Sequence, residues 1–287
     1  MSTAETVRDG AVRDGSVRDG SVRDESVRDG AVRDGPVLDG PVRDGPVRDG
    51  PVRDGSVRER TPARRAAAAW HADPYVRALH AGRGPLFLRR ADGWMLPLDV
   101  ERWCADADAA DRTVLRRCQG PALDIGCGPG RLVAALALRG RPCLGIDVSQ
   151  AAVARTVRAG GPALCRSVFE PLPGEGRWGT ALLIDGNIGI GGDPQALLAR
   201  VAQLIAPNGL LLVEAAAADV DERVRVRVDD GRGDMGTAFP WARVGVPALL
   251  HHARAVGWNP VEQWTARDRS FVSLRRTPPL PRSATER

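Results

Sequence analysis

The sequence predicts an α/β protein with a doubly wound, mostly parallel sheet of seven strands that ends in a C-terminal antiparallel hairpin. Three observations indicate this fold. Short apolar runs alternate with helix-like segments from residue 121 onward, which is typical of parallel strands joined by right-handed crossovers. Three closely spaced glycines follow the first run. The last two runs are separated by a link too short for a crossover, which indicates an antiparallel pair.

The elements follow one another in a regular order. Strands are predicted at PALDIG, PCLGIDVS, ALCRSV, GTALLID and LLLVEA, and the closing pair at PVEQWTAR and SFVSLRR. Between them, RLVAALALRG is a helix closed by Gly140, and QAAVARTVRAG is a helix capped by Ser149. QALLARVAQLIA follows the cap and first-turn proline of Asp193 and Pro194, and VPALLHHARAVG is a later helix. Residues 119–287 therefore read as one domain.

Two segments precede this domain. Residues 1–64 repeat the pentapeptide VRDG followed by Ala, Ser or Pro. Ordering five backbones costs ~5–10 kcal/mol, whereas burying one valine returns only ~2 kcal/mol, so a disordered tail is predicted. A β-helix of five-residue coils is the less favoured alternative, because each coil would fill its axis with only Val and Gly. Residues 65–118 mix helix signals with turns and form a separate N-terminal segment.

Composition limits the function classes. The 287 residues carry a net charge of +5, and all basic residues are arginine. This modest, scattered surplus permits an anionic ligand without indicating a nucleic-acid partner. The five cysteines show no CxxC spacing, so neither a zinc site nor a disulfide framework is expected. No signal peptide or membrane-spanning run is seen, so a cytoplasmic protein without a membrane partner is predicted.

The glycines lie in LDIGCGPGR, residues 123–131. A dinucleotide site needs GxGxxG and a P-loop needs a lysine, so the GxGxG spacing weakens both readings. A tight turn remains, where a ligand lies against bare backbone and Asp124 faces a cationic group. Asp147 ends the second strand, where a carboxylate can accept both hydroxyls of a ribose. Together these residues predict a ligand with a nucleoside at one end and an amino-acid zwitterion at the other.

LDIGCGPG, LGIDVS, ALLID and LLARVAQLIAPNGLLLVEA resemble the class I S-adenosylmethionine-dependent methyltransferases, over residues 119–287. The resemblance implies S-adenosylmethionine as co-substrate on a Rossmann-like fold, with the first-motif acid and glycines at the methionyl end and Asp147 at the ribose. Where many members place an acid for the adenine, this chain has Val168, so stacking on Phe169 is the expected contact. The implied cofactor-binding residues are Asp124, Gly126, Cys127, Gly128, Gly130, Asp147, Val148, Val168 and Phe169.

In this family, the segment after the fourth strand, DGNIGIGG at 185–192, faces the methyl group and its acceptor. Asp185 and Asn187 are therefore the candidate substrate contacts, although a hydrogen-bonded turn is an equally open reading. Glu214, which ends the fifth strand, is a candidate base or orienting group, or an ordinary strand-end residue. GNIG differs from the Asn/Asp-Pro-Pro-aromatic segment of nucleic-acid amino methyltransferases. A small-molecule acceptor is predicted, and no metal is expected.

Two further segments are candidates for covering the site. The resemblance implies that the N-terminal segment acts as a lid, with Tyr75, His80, Arg83 and Trp94 as candidates, each of which also fits plain packing or surface. A hairpin at 222–237 is predicted from the alternation VRVRV and the turn DDGRGD, with a role in substrate selection. The adjacent His251 and His252 point to different faces of a helix and are predicted to be structural.

Two alternatives stay open at this point. A nicotinamide-dependent oxidoreductase has a similar fold, although the GxGxG spacing argues against it. A cofactor-binding protein without catalysis is compatible with the small number of candidate catalytic side chains. The acceptor, the atom that is methylated, the use of a general base and the oligomeric state do not follow from the sequence.

Overall fold

The computed structural model describes Trp70 and residues 73–276. The predicted disordered tail, residues 1–64, lies outside this part of the chain. The helices are α1 (Asp73–Ala81), α2 (Val100–Cys104), α3 (Ala109–Arg117), α4 (Arg131–Ala137), α5 (Gln150–Arg158), α6 (Pro194–Leu204) and α7 (Val246–Ala255). The strands are β1 (Phe87–Arg90), β2 (Met95–Pro97), β3 (Ala122–Ile125), β4 (Cys143–Asp147), β5 (Ala163–Cys165), β6 (Trp178–Leu183), β7 (Ile205–Ala215), β8 (Asp221–Asp229), β9 (Phe239–Val244), β10 (Trp258–Ala266) and β11 (Arg269–Arg276).

The main sheet has seven strands in the order β10-β11-β7-β6-β3-β4-β5. The five strands from β7 to β5 are parallel to one another. Strand β11 is antiparallel to β7, and β10 is antiparallel to β11. The predicted fold class is therefore confirmed. From β3 the chain adds β4 and β5 on one side of the sheet. It then crosses back and adds β6 and β7 on the other side of β3, so the strand order reverses between β3 and β6. Ligands of open α/β sheets bind beyond the carboxyl ends of the strands at such a point.

Both faces of the main sheet are buried under helices, which explains its nearly continuous apolar strands. On one face, Leu123 and Ile125 pack with Leu198 of α6 and Leu249 of α7. On the other face, the strands pack on α3 and α4. The predicted caps form, because Ser149 accepts a hydrogen bond from the backbone of α5 and Asp193 does the same for α6. The local signals in the sequence thus set these boundaries.

A second, four-stranded antiparallel sheet has the order β2-β1-β8-β9. The alternation VRVRV lies in β8, but its partner β9 lies beyond the hairpin predicted at 222–237, and β8 also pairs with β1 as an inner strand. Val226 and Val228 bury their side chains under this sheet. The hairpin is therefore not an appendage, and deleting residues 222–237 would remove the middle of a sheet. This second sheet combines strands from both sides of the boundary predicted between residues 118 and 119, because β1 and β2 precede it and β8 and β9 follow it. The helix α3 also precedes this boundary, but it packs on the main sheet.

The late helix α7 carries the two adjacent histidines on different faces, as predicted. His252 is buried, with Nε2 lying 2.9 Å from Asp221 Oδ1 and Nδ1 lying 3.2 Å from Gln195 Nε2. His251 is exposed. The imidazole of His252 joins α6 to the start of β8, which is a structural role. Among the described residues, no helix has the length and apolar character needed to cross a membrane.

Candidate functional site

A cavity of about 530 Å³ lies over the carboxyl ends of the parallel strands and under the four-stranded sheet. Its size falls within the ~300–1,000 Å³ typical of small-molecule sites. It adjoins the point where the strand order reverses. All three candidate catalytic residues and seven of the nine candidate cofactor residues line it: Asp185, Asn187, Glu214, Gly126, Cys127, Gly128, Asp147, Val148, Val168 and Phe169.

The glycine loop, residues 126–130, is fixed by backbone hydrogen bonds to the neighbouring strand. The N–H groups of Gly126 and Cys127 both donate to the carbonyl of Ile146, at 2.8 and 3.0 Å. On the other side, Asn187 Nδ2 donates to the carbonyls of Ile125 and Gly126, both at 2.9 Å. Asn187 lines the cavity as predicted, but its amide N–H groups hold the loop. Its structural contribution is therefore to join the glycine loop to the loop after β6.

Asp147 ties the same loop from the end of β4. Its Oδ2 accepts the N–H of Gly128 at 2.9 Å, and its Oδ1 accepts the N–H of Ser149 at 2.8 Å. The carboxylate is nine-tenths buried and lies at the cavity wall. Each oxygen has further lone pairs, so the group can hold its backbone partners and still accept ligand hydroxyls. Asp147 therefore lies where a ligand in the cavity can reach it, and its ribose contact stays a prediction.

The glycines of the loop have different physical roles. At Gly128, with φ of 55°, the nearest atom to an added Cβ is the Tyr75 hydroxyl oxygen at 3.9 Å, so a side chain there would enter the cavity. At Gly130, with φ of 89°, an added Cβ would lie 2.4 Å from Thr156 Cγ2. Gly130 does not line the cavity. Its predicted ligand contact is therefore corrected, because the bare backbone there permits α4 to pack on α5.

Asp124 also lies outside the cavity lining, which corrects the predicted direct contact with the ligand. Alternation along β3 turns its side chain toward α3 and α4, whereas Ile125 faces the other layer. Burial raises the pKa of Asp124 to about 7, with Arg131 opposing the shift and Asp185 adding to it. Any influence of Asp124 on a bound ligand is therefore electrostatic and acts through its neighbours.

An arginine–carboxylate cluster forms the charged floor of the site, and it consists of Arg102, Arg131, Arg269, Asp111, Asp185 and Glu214. Arg131 is nearly fully buried and links two acids that are distant in sequence. Its Nε and Nη2 donate to Asp111 at 2.8 and 3.1 Å, and its Nη1 and Nη2 donate to Asp185 at 2.6 and 3.1 Å. Such bidentate, charge-assisted pairs fix side-chain geometry closely.

Arg269, near the tip of the closing hairpin, completes the cluster. Its Nε and Nη2 each lie 2.8 Å from an oxygen of Glu214, and its Nη1 donates to Asp111 at 2.9 Å. Arg102 of α2 donates to Asp185 at 2.6 Å. The cluster thus has three cations and three carboxylates, and Asp99 and Asp108 at its edge also pair with Arg102 and Arg269. Within residues 70 and 73–276, no group of His, Cys, Asp or Glu is placed to hold a metal ion.

The cluster determines how its acids behave. Burial alone would raise the pKa of Asp185, but Arg131, Arg102 and Arg269 outweigh it and hold that pKa below its usual value. Asp185 therefore stays ionised and is a poor proton acceptor. Glu214 uses Oε1 for Arg269, and its Oε2 also accepts the backbone N–H of Asp185 at 2.7 Å. This geometry favours an orienting role for Glu214 over that of a free base.

Four aromatic residues cover the cavity. The rings of Trp70 and Tyr75 meet edge to face at 4.9 Å, and Trp70 lies 5.4 Å from Phe239 and 5.9 Å from Trp241. Burial raises the pKa of the Tyr75 hydroxyl well above its usual value, so this hydroxyl stays protonated and can donate a hydrogen bond. The cover combines the N-terminal segment with β9.

The other lid candidates lie elsewhere. His80 and Arg83 are exposed and do not line the cavity. Trp94 is also outside the lining, but its ring stacks on the guanidinium of Arg243, which lines the cavity, at 4.7 Å. Of the four candidates, Tyr75 alone lines the cavity.

Sequence reasoning missed the cluster arginines and the wall formed by β9. Arg131 occupies the position that excludes GxGxxG, and nothing nearby in sequence indicates that it pairs with Asp111 and Asp185. Arg269 reaches residues 55 to 158 positions away, which no local pattern reveals. The run FPWARV was a usable signal, because it carries alternating aromatic and basic residues and all six of its residues line the cavity.

Comparison with known proteins decides the family. The family described as "Methyltransferase domain" matches residues 106–259, which is more than half of the chain. The chain belongs to the class I S-adenosylmethionine-dependent methyltransferases. The match covers the glycine loop, Asp147, the cluster acids and all of β9 and α7. A search among curated protein sequences gave no significant match.

Solved structures of other methyltransferases are similar to this chain. A S-adenosylmethionine-dependent methyltransferase from Bacteroides fragilis, in complex with S-adenosyl-L-homocysteine, is 19% identical with a TM-score of 0.59, and the match covers 74% of this chain and 94% of that one. The 1,6-didemethyltoxoflavin-N1-methyltransferase of Burkholderia thailandensis is 20% identical with a TM-score of 0.45, over 59% and 79% of the two chains. At 19% identity, the likeness to the first of these structures concerns the fold alone.

Proposed function

We propose that this methyltransferase transfers a methyl group from S-adenosylmethionine to a small-molecule acceptor by in-line displacement inside the cavity. The observation that carries the proposal is the meeting of the glycine loop, Asp147 and the loop after β6 around one cavity of about 530 Å³. These segments come from three different strands of the main sheet. Their convergence at the switch point is the arrangement that the fold uses for nucleoside-containing ligands.

The residues present fit this co-substrate. Gly128 leaves backbone open to the cavity, and the carboxylate of Asp147 lies 2.9 Å from its N–H. Asp147 would accept the ribose hydroxyls, while Val168 and Phe169 would form the adenine wall. Phe169 is partly exposed and lies against Gly191, where an added Cβ would come within 2.9 Å of its ring. Gly126 and Cys127 would border the methionyl end.

When bound, S-adenosylmethionine supplies a methyl group on a positively charged sulfur that departs as a neutral thioether. The protein's own contribution is alignment and the exclusion of water. The rings of Trp70, Tyr75, Phe239 and Trp241 cover the cavity, and the cluster fixes the loop that carries Asp185 and Asn187. The acceptor atom forms its bond to the methyl carbon as the carbon–sulfur bond breaks, and no acid is needed at the leaving group.

The paired acids limit what proton transfer the site can provide. Asp185 accepts from three arginines, and both oxygens of Glu214 are engaged. An acceptor that is already nucleophilic, or that loses its proton to water after transfer, suits this site best. The same pairing favours the second candidate, a cofactor-binding protein without catalysis, because no described acid in the cluster is left as an obvious base.

Incubating the purified protein with S-adenosylmethionine and a small-molecule extract of the native host tests the proposal. We expect S-adenosylhomocysteine and a methylated product of low mass to appear together by mass spectrometry. Binding of S-adenosylmethionine without any turnover would support the non-catalytic candidate. Preference for NAD over S-adenosylmethionine in a titration would contradict the proposal and favour an oxidoreductase.

A further inference from the structure

The face of β9 that borders the cavity changes from aromatic to cationic along its length. Phe239, Trp241 and Arg243 are separated by two residues each, so their side chains lie on one face of the strand, about 6.8 Å apart. All three line the cavity. Phe239 and Trp241 belong to the aromatic cover, and Arg243 continues this wall with a guanidinium. The wall therefore presents an apolar surface that ends in a positive charge.

Arg243 is held in a defined orientation. Its guanidinium lies over the ring of Trp94 at 4.7 Å, and its Nη1 donates to Glu222 Oε2 at 2.8 Å. Its side chain is only 19% exposed. A guanidinium that is already stacked and hydrogen-bonded loses little further conformational entropy when it binds a ligand, because its planar fork is already held in place.

One edge of this guanidinium has no partner among the described residues. Glu222 uses Nη1, which leaves Nε–H and the N–H groups of Nη2 side by side. Two parallel N–H bonds match the two oxygens of a carboxylate. Because Glu222 already offsets the single positive charge, a singly charged group fits better than a doubly charged phosphate. The three arginines of the floor differ from it, since Arg102, Arg131 and Arg269 are each bonded to two or more carboxylates.

The cavity also has room for an apolar body next to this group. Residues 215–218, four consecutive alanines, contribute to its lining, and their methyl side chains leave space that larger residues would fill. The spacing from Trp241 to Arg243 is about the length of one six-membered ring with its substituent.

We infer that the acceptor is a monocarboxylate with an apolar, ring-sized body, and that Arg243 is the residue that selects it. The body would lie against Trp241 and the carboxylate would bind the free edge of Arg243. This inference rests on the proposed function, because it assigns the acceptor end of the same cavity. It also predicts that neutral analogues of the acceptor bind poorly, since they leave the guanidinium edge without a partner.

Isothermal titration of the S-adenosylhomocysteine-saturated protein with benzoate and benzamide tests this inference. The two probes share their ring and differ in charge. We expect benzoate to bind about tenfold more tightly, which corresponds to about 1.4 kcal/mol, because its carboxylate accepts charge-assisted hydrogen bonds that the amide lacks. Arg243→Gln should abolish the preference, and the exposed control Arg225→Gln, on the neighbouring strand and outside the cavity, should keep it.

The affinity for S-adenosylhomocysteine, measured in the same variants, separates this inference from the proposed function. If Arg243→Gln keeps that affinity and loses the benzoate preference, the inference holds. Equal binding of the two probes to the wild type, no binding of benzoate, or a preference that survives Arg243→Gln would overturn it. Failure of S-adenosylhomocysteine to bind the wild type would instead contradict the proposed function. In that case the benzoate titration, repeated without S-adenosylhomocysteine, still tests the role of Arg243.

Discussion

The guanidinium of Arg131 donates to both carboxylate oxygens of Asp185, through contacts of 2.6 and 3.1 Å. Arg131 begins the helix after the glycine loop, and Asp185 begins the loop after β6 that lines the cavity. Their contact makes the position of one loop depend on the other. Because Arg131 also binds Asp111 on α3, the floor of the site is connected to the core of the main sheet.

Replacing Arg131 should therefore destabilise the fold. Arg131→Met leaves Asp111, which is fully buried, with Arg269 as its remaining cation partner. Breaking a buried ion pair by removing one partner costs about 3–5 kcal/mol. We expect the free energy of unfolding in urea to fall by that amount. Arg139→Met, an exposed change beyond the end of the same helix, should alter it by no more than about 0.5 kcal/mol. A similar result for both variants would argue against the cluster's structural role.

The two glycines of the loop should respond differently to alanine. At Gly130 the new methyl group meets Thr156 at 2.4 Å and φ is positive, so both overpacking and backbone strain destabilise the fold, each by about 1–3 kcal/mol. At Gly128 only the backbone strain applies. Gly128→Ala should retain more stability in urea than Gly130→Ala, but it should lose affinity for S-adenosylhomocysteine because its methyl group enters the cavity. Equal stability loss in the two variants is the contrary outcome.

The main sheet and the glycine loop were predictable because their signals are local. Apolar runs, Ser149 and Asp193 at helix starts, and the two-residue link before β11 depend on neighbouring residues only. The four-stranded sheet was not predictable in full, because β1 pairs with β8 more than 130 residues away. The same holds for the partners of Arg131 and Arg269. The spacing of Gly126, Gly128 and Gly130 gave the turn, but not which glycine faces a ligand and which faces a helix.

The pH dependence of stability should carry a contribution from Asp124. Its pKa is about 7 in the fold against an ordinary value of 3.8, so the folded state binds more protons between these values. The unfolding free energy of the wild type should therefore fall as pH rises from about 4 to about 7. Arg131, Asp185, Asp147 and Asp111 are the charged groups that face it.

Asp124→Asn removes this titration, so its stability relative to the wild type should improve across that interval. Thermal unfolding at a series of pH values measures the difference. Asp219→Asn, which changes an exposed aspartate, serves as the control and should follow the wild-type curve. Parallel curves for Asp124→Asn and the wild type would show that Asp124 is ionised in the fold at neutral pH. Below pH about 4, both proteins should lose stability as Asp111 and Asp185, whose pKa values the arginines lower, become protonated.

Calorimetric titration of the wild type and of Asp147→Ala with S-adenosylmethionine tests the central claim most directly. Asp147 holds Gly128 at the cavity wall and is the proposed ribose acceptor, so its loss removes charge-assisted hydrogen bonds that contribute roughly 1.5–3 kcal/mol each. We predict saturable one-site binding to the wild type and an affinity at least about tenfold weaker for the variant. Unchanged affinity in Asp147→Ala, or no binding to the wild type, would contradict the account.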